Sequence, residues 1–286
     1  MAVWLRVRVR KSGPGLLVAG MLLAGLVGTK AVHAEALVAS GCSVSNVGYL
    51  TDLARDYERL TGKSILVRGG GSVLGLDDLR GGKTDFAASC RGREAGDPDD
   101  MEFIQAAWDA LVFIVHPSNP VASITLGEVQ GIYQGLITDW ARLKGPAGPI
   151  ELQLSRPQKG LSGVEGSTRS LVLGGKSPVA GAGVTTLASS GIVEQIVEKT
   201  SAAFATTGFS SARKRQVKML ALNGVAPTKE NIVAGKYPFA RPLYLVVPRA
   251  AKPGVREFVA FVLGRQGQEL IGSYGIVSLV DLPRRR

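Results

Sequence analysis

The chain has 286 residues, of which 45% are hydrophobic and 20% charged, an ordinary composition for a globular protein. This balance excludes an intrinsically disordered chain. The formal net charge is +11, yet the sequence has no clustered basic face with interleaved aromatic residues, so nucleic acid is not an expected partner. With two cysteines in all, the fold does not depend on a disulfide framework.

The first 34 residues have the features of a signal peptide. Four basic residues precede an apolar stretch from Gly15 to Gly28, and Val32-His33-Ala34 suits signal peptidase. Cleavage near Ala34 predicts a periplasmic or secreted protein and lowers the net charge from +11 to +6, because five basic residues and no acids are lost. A signal anchor is the alternative, although the stretch is shorter than the ~20 residues of a membrane span. Lipid attachment at Cys42 is set aside because this cysteine lies too far beyond the apolar stretch.

The mature chain alternates short apolar runs with amphipathic segments, which predicts an α/β fold. Strands are expected at Leu37–Ala39, Ile65–Val67, Asp85–Ala88, Leu111–Val115 and Leu243–Val247, and Ile150-Glu151-Leu152 leads into a loop. Helices are expected from Val47 to Leu60 with Gly62 as C-cap, from Ser72 to Leu79, from a Thr125-x-x-Glu128 capping box to Tyr133, near Arg169–Leu173, around Ile192–Val197 and over most of Val255–Ile271.

Three times a strand-like run leads through a Gly/Ser-rich loop into a helix. The loops are Gly41-Cys42-Ser43, Gly69-Gly70-Gly71-Ser72 and Ser162-Gly163. A helix N-terminus has unpaired N–H groups and a partial positive charge, and small residues let an anion approach the backbone. One such loop is weak evidence, because Gly and Ser are common in caps and turns. Three together favour an oxyanion site.

Two arginines are candidates for neutralising a bound anion. Arg156 lies on the third loop, where its planar guanidinium can hold two oxygens of a tetrahedral ion. Arg91 follows the third strand and is the second candidate. The alternative for both is a solvated surface arginine.

Catalytic and metal-binding patterns are scarce. His33 leaves with the signal peptide, so His116 is the one histidine of the mature chain, and a Ser-His-Asp triad or histidine-rich metal site is hard to assemble. The acidic run Asp97–Asp100 favours a solvated turn over a metal site, because it contains a proline and lies in polar context. We therefore expect no enzymatic activity, no metal and no cofactor.

Longer segments resemble the phosphate-binding proteins of bacterial phosphate ABC transporters. The most specific are Asp109–Pro120, Leu126–Trp140, Asn223–Thr228 and Gly235–Tyr244. The resemblance implies a two-lobed periplasmic binding protein fold, each lobe a mixed sheet flanked by helices, joined by two crossing strands and closing around the ligand by a hinge. On this basis residues 1–34 are the signal peptide, 35–111 the first part of lobe 1, 112–238 lobe 2, and 239–286 the return of lobe 1.

The resemblance also implies a ligand set for inorganic phosphate or a related oxyanion. Hydroxyl contacts fall on Ser43, Ser72 and Ser162, backbone donors on Val44, Gly163 and Val164, and charge neutralisation on Arg156. The loop residues Gly71, Ser89, Cys90 and Arg91 complete the expected set. Val164 stands where threonine is usual, and Cys90 stands in a loop where some members have an acidic acceptor, which puts selectivity for a protonated phosphate in doubt.

Both cysteines fall in these loops. In a sheet of order 2-1-3 the ends of the first and third strands are neighbours, so a Cys42–Cys90 disulfide is one expectation and two free buried thiols the other. The resemblance further implies delivery of the ligand to a membrane ABC transporter permease or to a sensor, and a monomer is the default expectation for a receptor that closes by a hinge. The alternatives are a transport-independent periplasmic interaction or signalling module, and a phosphate ester hydrolase, which the shortage of bases disfavours.

Overall fold

The computed structural model describes residues 36–156 and 163–282. The signal peptide predicted over residues 1–34, its cleavage near Ala34, and the predicted contact by Ser162 lie outside these residues. Within the described part of the chain, no helix combines the length and apolar character that crossing a bilayer requires.

A nine-stranded mixed sheet forms the centre of the fold, with the strand order β2-β1-β3-β11-β4-β8-β6-β7 and β9 paired to β4. Its strands are β1 (Leu37–Gly41), β2 (Ile65–Gly69), β3 (Phe86–Ser89), β4 (Met101–Val115), β6 (Glu151–Ser155), β7 (Val184–Leu187), β8 (Ala203–Gly208), β9 (Lys218–Met219) and β11 (Ala240–Pro248). A small separate sheet pairs β5 (Ser123–Ile124) with β10 (Ala221–Leu222).

The long strand β4 connects two halves of the sheet. From Met101 to Ala110 it pairs antiparallel with β11, and from Leu111 to Val115 it pairs antiparallel with β8. We call β1, β2, β3, β11 and the start of β4 the first half, and the end of β4 with β6, β7, β8 and β9 the second half. The change of partner after Ala110 supports lobe boundaries near residue 111, and the division into residues 35–111, 112–238 and 239–286 stays a prediction.

Helices flank both halves of the sheet. The first is continuous through Ser43–Ser45, a π-helical Asn46–Leu50 and Thr51–Thr61. The others are Ser72–Arg80, Leu126–Tyr133, a 3-10 turn at Trp140–Leu143, Gly163–Ser167 continuing as a π-helical Thr168–Val172, Ser190–Val197, Phe209–Ala212, Lys229–Val233, Pro253–Leu263 and Arg265–Ser273.

Each half of the sheet has its own aromatic packing. In the first half Tyr57 meets Phe258 edge-on, with ring centroids 5.1 Å apart. In the second half Phe204 stacks on Phe113 at 6.2 Å and meets Tyr133 edge-on at 6.4 Å. These rings are buried, and such pairs stabilise a core beyond their buried area. Both groups of rings belong to one continuous buried cluster that extends through the two halves.

The predicted α/β class is confirmed, and so are two local signals. Thr125 and Glu128 form the predicted capping box, with the Thr125 hydroxyl accepting from the Glu128 amide at 3.2 Å. Gly62 ends the first long helix in the left-handed conformation, φ 72°, which glycine adopts without steric cost.

Three element predictions need correction. The segment Val255–Ile271 forms two helices, because the backbone is extended at Gly264. The helix predicted near Arg169 already begins at Gly163. The strand predicted at Leu111–Val115 is only the last third of β4. Its first ten residues mix polar and apolar side chains and are only partly buried, so they lack the continuous apolar run that indicates a buried strand.

Candidate functional site

The carboxyl ends of three parallel strands meet at one edge of the first half. Gly41 of β1 is in register with Gly69 of β2 and with Ala88 of β3. The Cys42 amide donates to the Ala88 carbonyl at 2.8 Å, which ties the first loop to the third. A side chain at Gly41 does not fit, because a Cβ there would lie 2.1 Å from the Ala88 oxygen and φ is +134°. The two loops therefore lie directly against each other.

A disulfide joins the first and third loops. Cys42 and Cys90 are bonded, with their Cα atoms 5.8 Å apart, and both residues are buried. The bond closes a segment of 48 residues in sequence separation, so it fixes the Ser43 loop relative to β3. Some members of the family have an acidic hydrogen-bond acceptor in the third loop. In this chain Cys90 lies in that loop, and its sulfur is uncharged and bonded to Cys42.

Ser72 lies beside this disulfide, and its hydroxyl is used within the protein. Its Oγ accepts the Cys90 amide proton at 3.1 Å and lies 3.5 Å from the Cys90 Sγ. The residue is fully buried. Gly71, at φ +98°, places the serine as the first residue of the Ser72–Arg80 helix. The Ser72 hydroxyl therefore holds the Cys90 loop in place.

The helix that begins at Gly163 packs directly on this group. A Cβ built on Gly163 would lie 2.7 Å from the Cys90 Sγ and 2.8 Å from the Ser72 Oγ. Even one methyl group does not fit between them, so a tetrahedral anion reaches the Ser72 hydroxyl only when Gly163 moves away. Val164, the next residue, is also fully buried.

Ser43 and Val44 lie at the N-terminus of the first long helix and are both buried. The Asn46 amide bonds back to the Cys42 carbonyl at 3.0 Å, so the amides of the first turn before it have no carbonyl partner within the helix. Unlike Ser72, Ser43 lines a cavity of about 590 Å³ between the two halves. Within residues 36–156 and 163–282, its hydroxyl has no hydrogen-bond partner.

The opposite wall of this cavity comes from the second half of the sheet. Ala188, Ser189 and Ile192 line it there. Ser189 caps the Ser190–Val197 helix, accepting the Ile192 amide proton at 3.4 Å. A Cβ on Gly191 would lie 3.5 Å from the Ser43 Cβ, so this second helix N-terminus approaches the first. The cavity thus has one helix start from each half, which is favourable for an anion.

Arg156 does not line this cavity. Its backbone amide donates to the Leu187 carbonyl at 2.8 Å, and its exposed side chain borders a separate small cavity with Glu165 and Arg169. Glu165 is buried, and burial raises its pKa to about 7, against the opposing effects of the Ser155 amide and the Arg156 charge. In this arrangement the positive charge of Arg156 therefore favours the ionised form of Glu165.

Arg91 is engaged by an acid. Its Nη1 and Nη2 donate to the two carboxylate oxygens of Asp97 at 2.7 and 2.9 Å, and this pairing lowers the pKa of Asp97. Ser89 supports the turn, with its hydroxyl donating to the Arg91 carbonyl at 2.8 Å. The predicted solvated turn at Asp97–Asp100 is wrong for Asp97, because this carboxylate is largely buried against Arg91.

A buried ion pair behind the disulfide was not expected from the sequence. Arg241 of β11 donates to Asp109 of β4 at 3.0 Å, and both residues are buried. Another Arg241 nitrogen donates to the Gly163 carbonyl at 2.9 Å and to the Cys90 carbonyl at 3.4 Å. Asp109 also accepts from the Ser210 amide and hydroxyl, both at 2.9 Å. The pair therefore links the two halves and contacts the Cys90 and Gly163 loops of the candidate site.

The sequence contains one signal for this pair, because Arg241 is the one charged residue of an otherwise apolar strand and Asp109 directly precedes the apolar run Ala110–Val115. In the described part of the chain, no group of three or more His, Cys, Asp or Glu side chains is placed to hold a metal ion.

Comparison with known proteins gives consistent relatives. Residues 29–266 match the family model described as PBP superfamily domain. The phosphate-binding protein PstS of Bacillus subtilis is 26% identical over 250 residues, covering 86% of this chain and 81% of that protein. PstS of Borreliella burgdorferi is 24% identical over 261 residues, covering 86% and 91%.

Solved structures share the fold. A Clostridium perfringens protein described as a phosphate ABC transporter substrate-binding protein, with phosphate bound, superposes with a TM-score of 0.75 at 22% identity, covering 85% of this chain and 99% of that one. A phosphate-binding protein of Stenotrophomonas maltophilia superposes at 0.67 and 12% identity, covering 86% and 91%. The chain belongs to the PBP superfamily, and the resemblance to phosphate-binding proteins of ABC transporters that its motifs predicted is confirmed.

Proposed function

We propose that the protein binds phosphate or a similar tetrahedral oxyanion outside the cytoplasm and delivers it to a membrane ABC transporter permease. The PstS relatives are named as phosphate-binding proteins and match most of this chain. The observation that carries the proposal is the buried Ser43 hydroxyl, without a partner in the described chain, at a helix N-terminus facing the cavity between the halves. This is the kind of group that replaces the water around an anion.

Anion capture begins at the first loop. The Ser43 hydroxyl and the Val44 amide donate to the ligand oxygens, and the helix N-terminus supplies partial positive charge. Gly163 and Val164 add backbone donors after the helix at Gly163 has moved away from the disulfide to admit the ligand and the second half has closed on it, and Ser162 adds a hydroxyl. Arg156 supplies the full positive charge in that closed state, which requires its side chain to turn from Glu165 towards the cavity.

The loops of the first half hold this arrangement in place. Ser72 reaches the ligand only if Gly163 withdraws, and otherwise supports the Cys90 amide. Gly71 and Ser89 shape the loops around the disulfide. The role of Arg91 is to fix the third loop through Asp97, because its guanidinium is already paired.

Opening and closing are proposed to occur about β4, where the strand changes partner after Ala110. The buried Arg241–Asp109 pair lies at this point and touches both halves. Hinge motions of this kind are absorbed by a few residues at element ends. The protein acts as a monomer and a carrier, without catalysis or a cofactor, in the periplasm or as a secreted protein.

One alternative function has specific support. The hydroxyl of Ser72 and the position of Cys90 are both committed to internal bonds, and Val164 contributes no hydroxyl. A module that kept the scaffold for protein interaction or signalling would have such a site. It would bind no oxyanion.

Calorimetric titration of verified ligand-free protein with phosphate, sulfate and arsenate distinguishes the two functions. We expect Ser43→Ala to weaken phosphate binding about tenfold or more, because a hydrogen bond to a charged group contributes roughly 1.5–3 kcal/mol. Ser201→Ala, at an exposed position outside the cavity, is the matched control and should bind like the parent. Absence of heat with all three anions would eliminate the carrier function and favour the interaction module.

A further inference from the structure

The cavity at Ser43 is much larger than an inorganic oxyanion. Its volume is about 590 Å³. A tetrahedral ion has five non-hydrogen atoms and takes the room of roughly two or three water molecules, each about 30 Å³ in the liquid. An anion bound at Ser43 therefore leaves most of the cavity to be filled by another part of the ligand or by water.

Ser43 determines which end of the cavity holds the anion. It is 8% exposed, lines the cavity, and has a hydroxyl without a hydrogen-bond partner among residues 36–156 and 163–282. The other predicted contacts do not compete for the anion in this arrangement, since Ser72 and Gly163 are packed against the disulfide. The anionic group therefore lies at the start of the first long helix.

Apolar side chains line the cavity beyond Ser43 on both sides. Val73 and Leu74 come from the first half, and Ala188 and Ile192 come from the second. Leu74 is 45% exposed and Ile192 is 40% exposed, so both lose contact with water when an apolar group enters between them. Exposed apolar side chains that face each other across a concave site are typical of ligand pockets.

The charged residues of the cavity wall are already balanced. Asp78 pairs with Lys83 at 3.8 Å, and Asp77 pairs with Arg80 at 3.4 Å. Because these charges already have partners within the protein, a second charged group on the ligand would gain little from this wall. An uncharged apolar substituent matches it better than an amine or a second carboxylate.

We propose that the ligand of this cleft is a monosubstituted phosphate or phosphonate, held by its anionic group at Ser43 and by a short apolar chain between Leu74 and Ile192. This inference rests on the proposed function, because the anionic end uses the same site. It differs in the substrate class, which becomes small organic phosphorus compounds. Phosphate esters and phosphonates share this chemistry, and the test separates them.

The test is calorimetric titration of the ligand-free mature protein with phosphate, methylphosphonate, butylphosphonate and butyl phosphate. Each methylene group buried between the walls should strengthen binding about fourfold at 25 °C. Butylphosphonate should therefore bind at least tenfold more tightly than methylphosphonate, even with partial burial. Equal affinity for butyl phosphate assigns both compound classes, and a preference for one assigns that class.

A variant that fills the apolar part of the cavity supplies the second readout. Ala188→Phe, at an exposed lining residue, should lower the ratio of butylphosphonate to phosphate affinity at least about tenfold, because the chain loses its buried position. Ala182→Phe, exposed in the same half and outside the cavity lining, is the matched control and should leave the ratio unchanged.

The outcomes distinguish this inference from the proposed function. Phosphate binding without any gain from the butyl chain overturns the inference and leaves phosphate as the ligand. An unchanged ratio in Ala188→Phe also overturns it, because the chain would lie elsewhere. Absence of binding by all four compounds overturns the proposed function itself.

Discussion

Breaking the Cys42–Cys90 disulfide should destabilise the protein by an amount set mainly by the length of chain it closes. The sequence separation is 48 residues. The loop-closure relation for a crosslink of that length gives about 4 kcal/mol at 25 °C. For a chain of this size, about 4 kcal/mol corresponds to a fall in Tm of roughly 8 to 16 °C.

The measurement is urea unfolding at constant pH in buffer free of phosphate, because a bound ligand would raise the apparent stability. Three samples are compared: the oxidised protein, the same protein reduced with dithiothreitol, and Cys42→Ala combined with Cys90→Ala. Reduction keeps both sulfur atoms, so it isolates the crosslink. The double variant should be slightly less stable than the reduced protein, because truncating two buried side chains also leaves small cavities.

Dithiothreitol should have no effect on the double variant, which controls for unspecific action of the reductant. Unfolding of the reduced protein at the same urea concentration as the oxidised protein would refute a stabilising role of the crosslink. In that case the loops would be held by the surrounding contacts alone, such as the Cys42 amide to the Ala88 carbonyl and the Cys90 amide to Ser72.

Two further changes test the buried charges. Asp109→Asn should cost about 3–5 kcal/mol of unfolding free energy, because Arg241 stays buried without its carboxylate; exposed Asp99→Asn is the control, and equal denaturation midpoints for the two variants would contradict a role for the pair. The pKa of Glu165 is raised from 4.5 to about 7, so between these values the folded state holds a proton that the unfolded state has lost. Stability should therefore fall by about 3 kcal/mol as pH rises from 4.5 to 7, and level off above 7. Glu165→Gln should flatten this part of the pH profile measured by thermal unfolding, and an unaltered slope would assign it to other groups.

Local signals in the sequence predicted the elements around the site well. The capping box at Thr125 and the C-cap at Gly62 depend on residues within one turn of each other, so a short segment determines them. The expectation of a Cys42–Cys90 disulfide assumed the strand order β2-β1-β3, and the structure has this order, which places the two cysteine loops side by side.

The Arg241–Asp109 pair could not be predicted in the same way. Its members are 132 residues apart in sequence. The sequence of either strand alone does not indicate which residue pairs with its charge. The first ten residues of β4 were missed for a related reason. Asp109 is acceptable in a buried strand only because Arg241 and Ser210 satisfy it.

The three Gly/Ser-rich loops looked equivalent in sequence, and their different surroundings make them unequal. Ser72 and Ser43 each begin a helix after a strand, yet Ser72 faces the Cys90 amide and Ser43 faces the cavity. A serine that is already bonded to the protein contributes little to a ligand, because binding would exchange one hydrogen bond for another. A buried hydroxyl that lacks a partner in the described chain gains a bond only when the ligand arrives. Anion affinity in this cleft should therefore depend on Ser43 more than on Ser72, although both serines keep a hydroxyl of the family pattern.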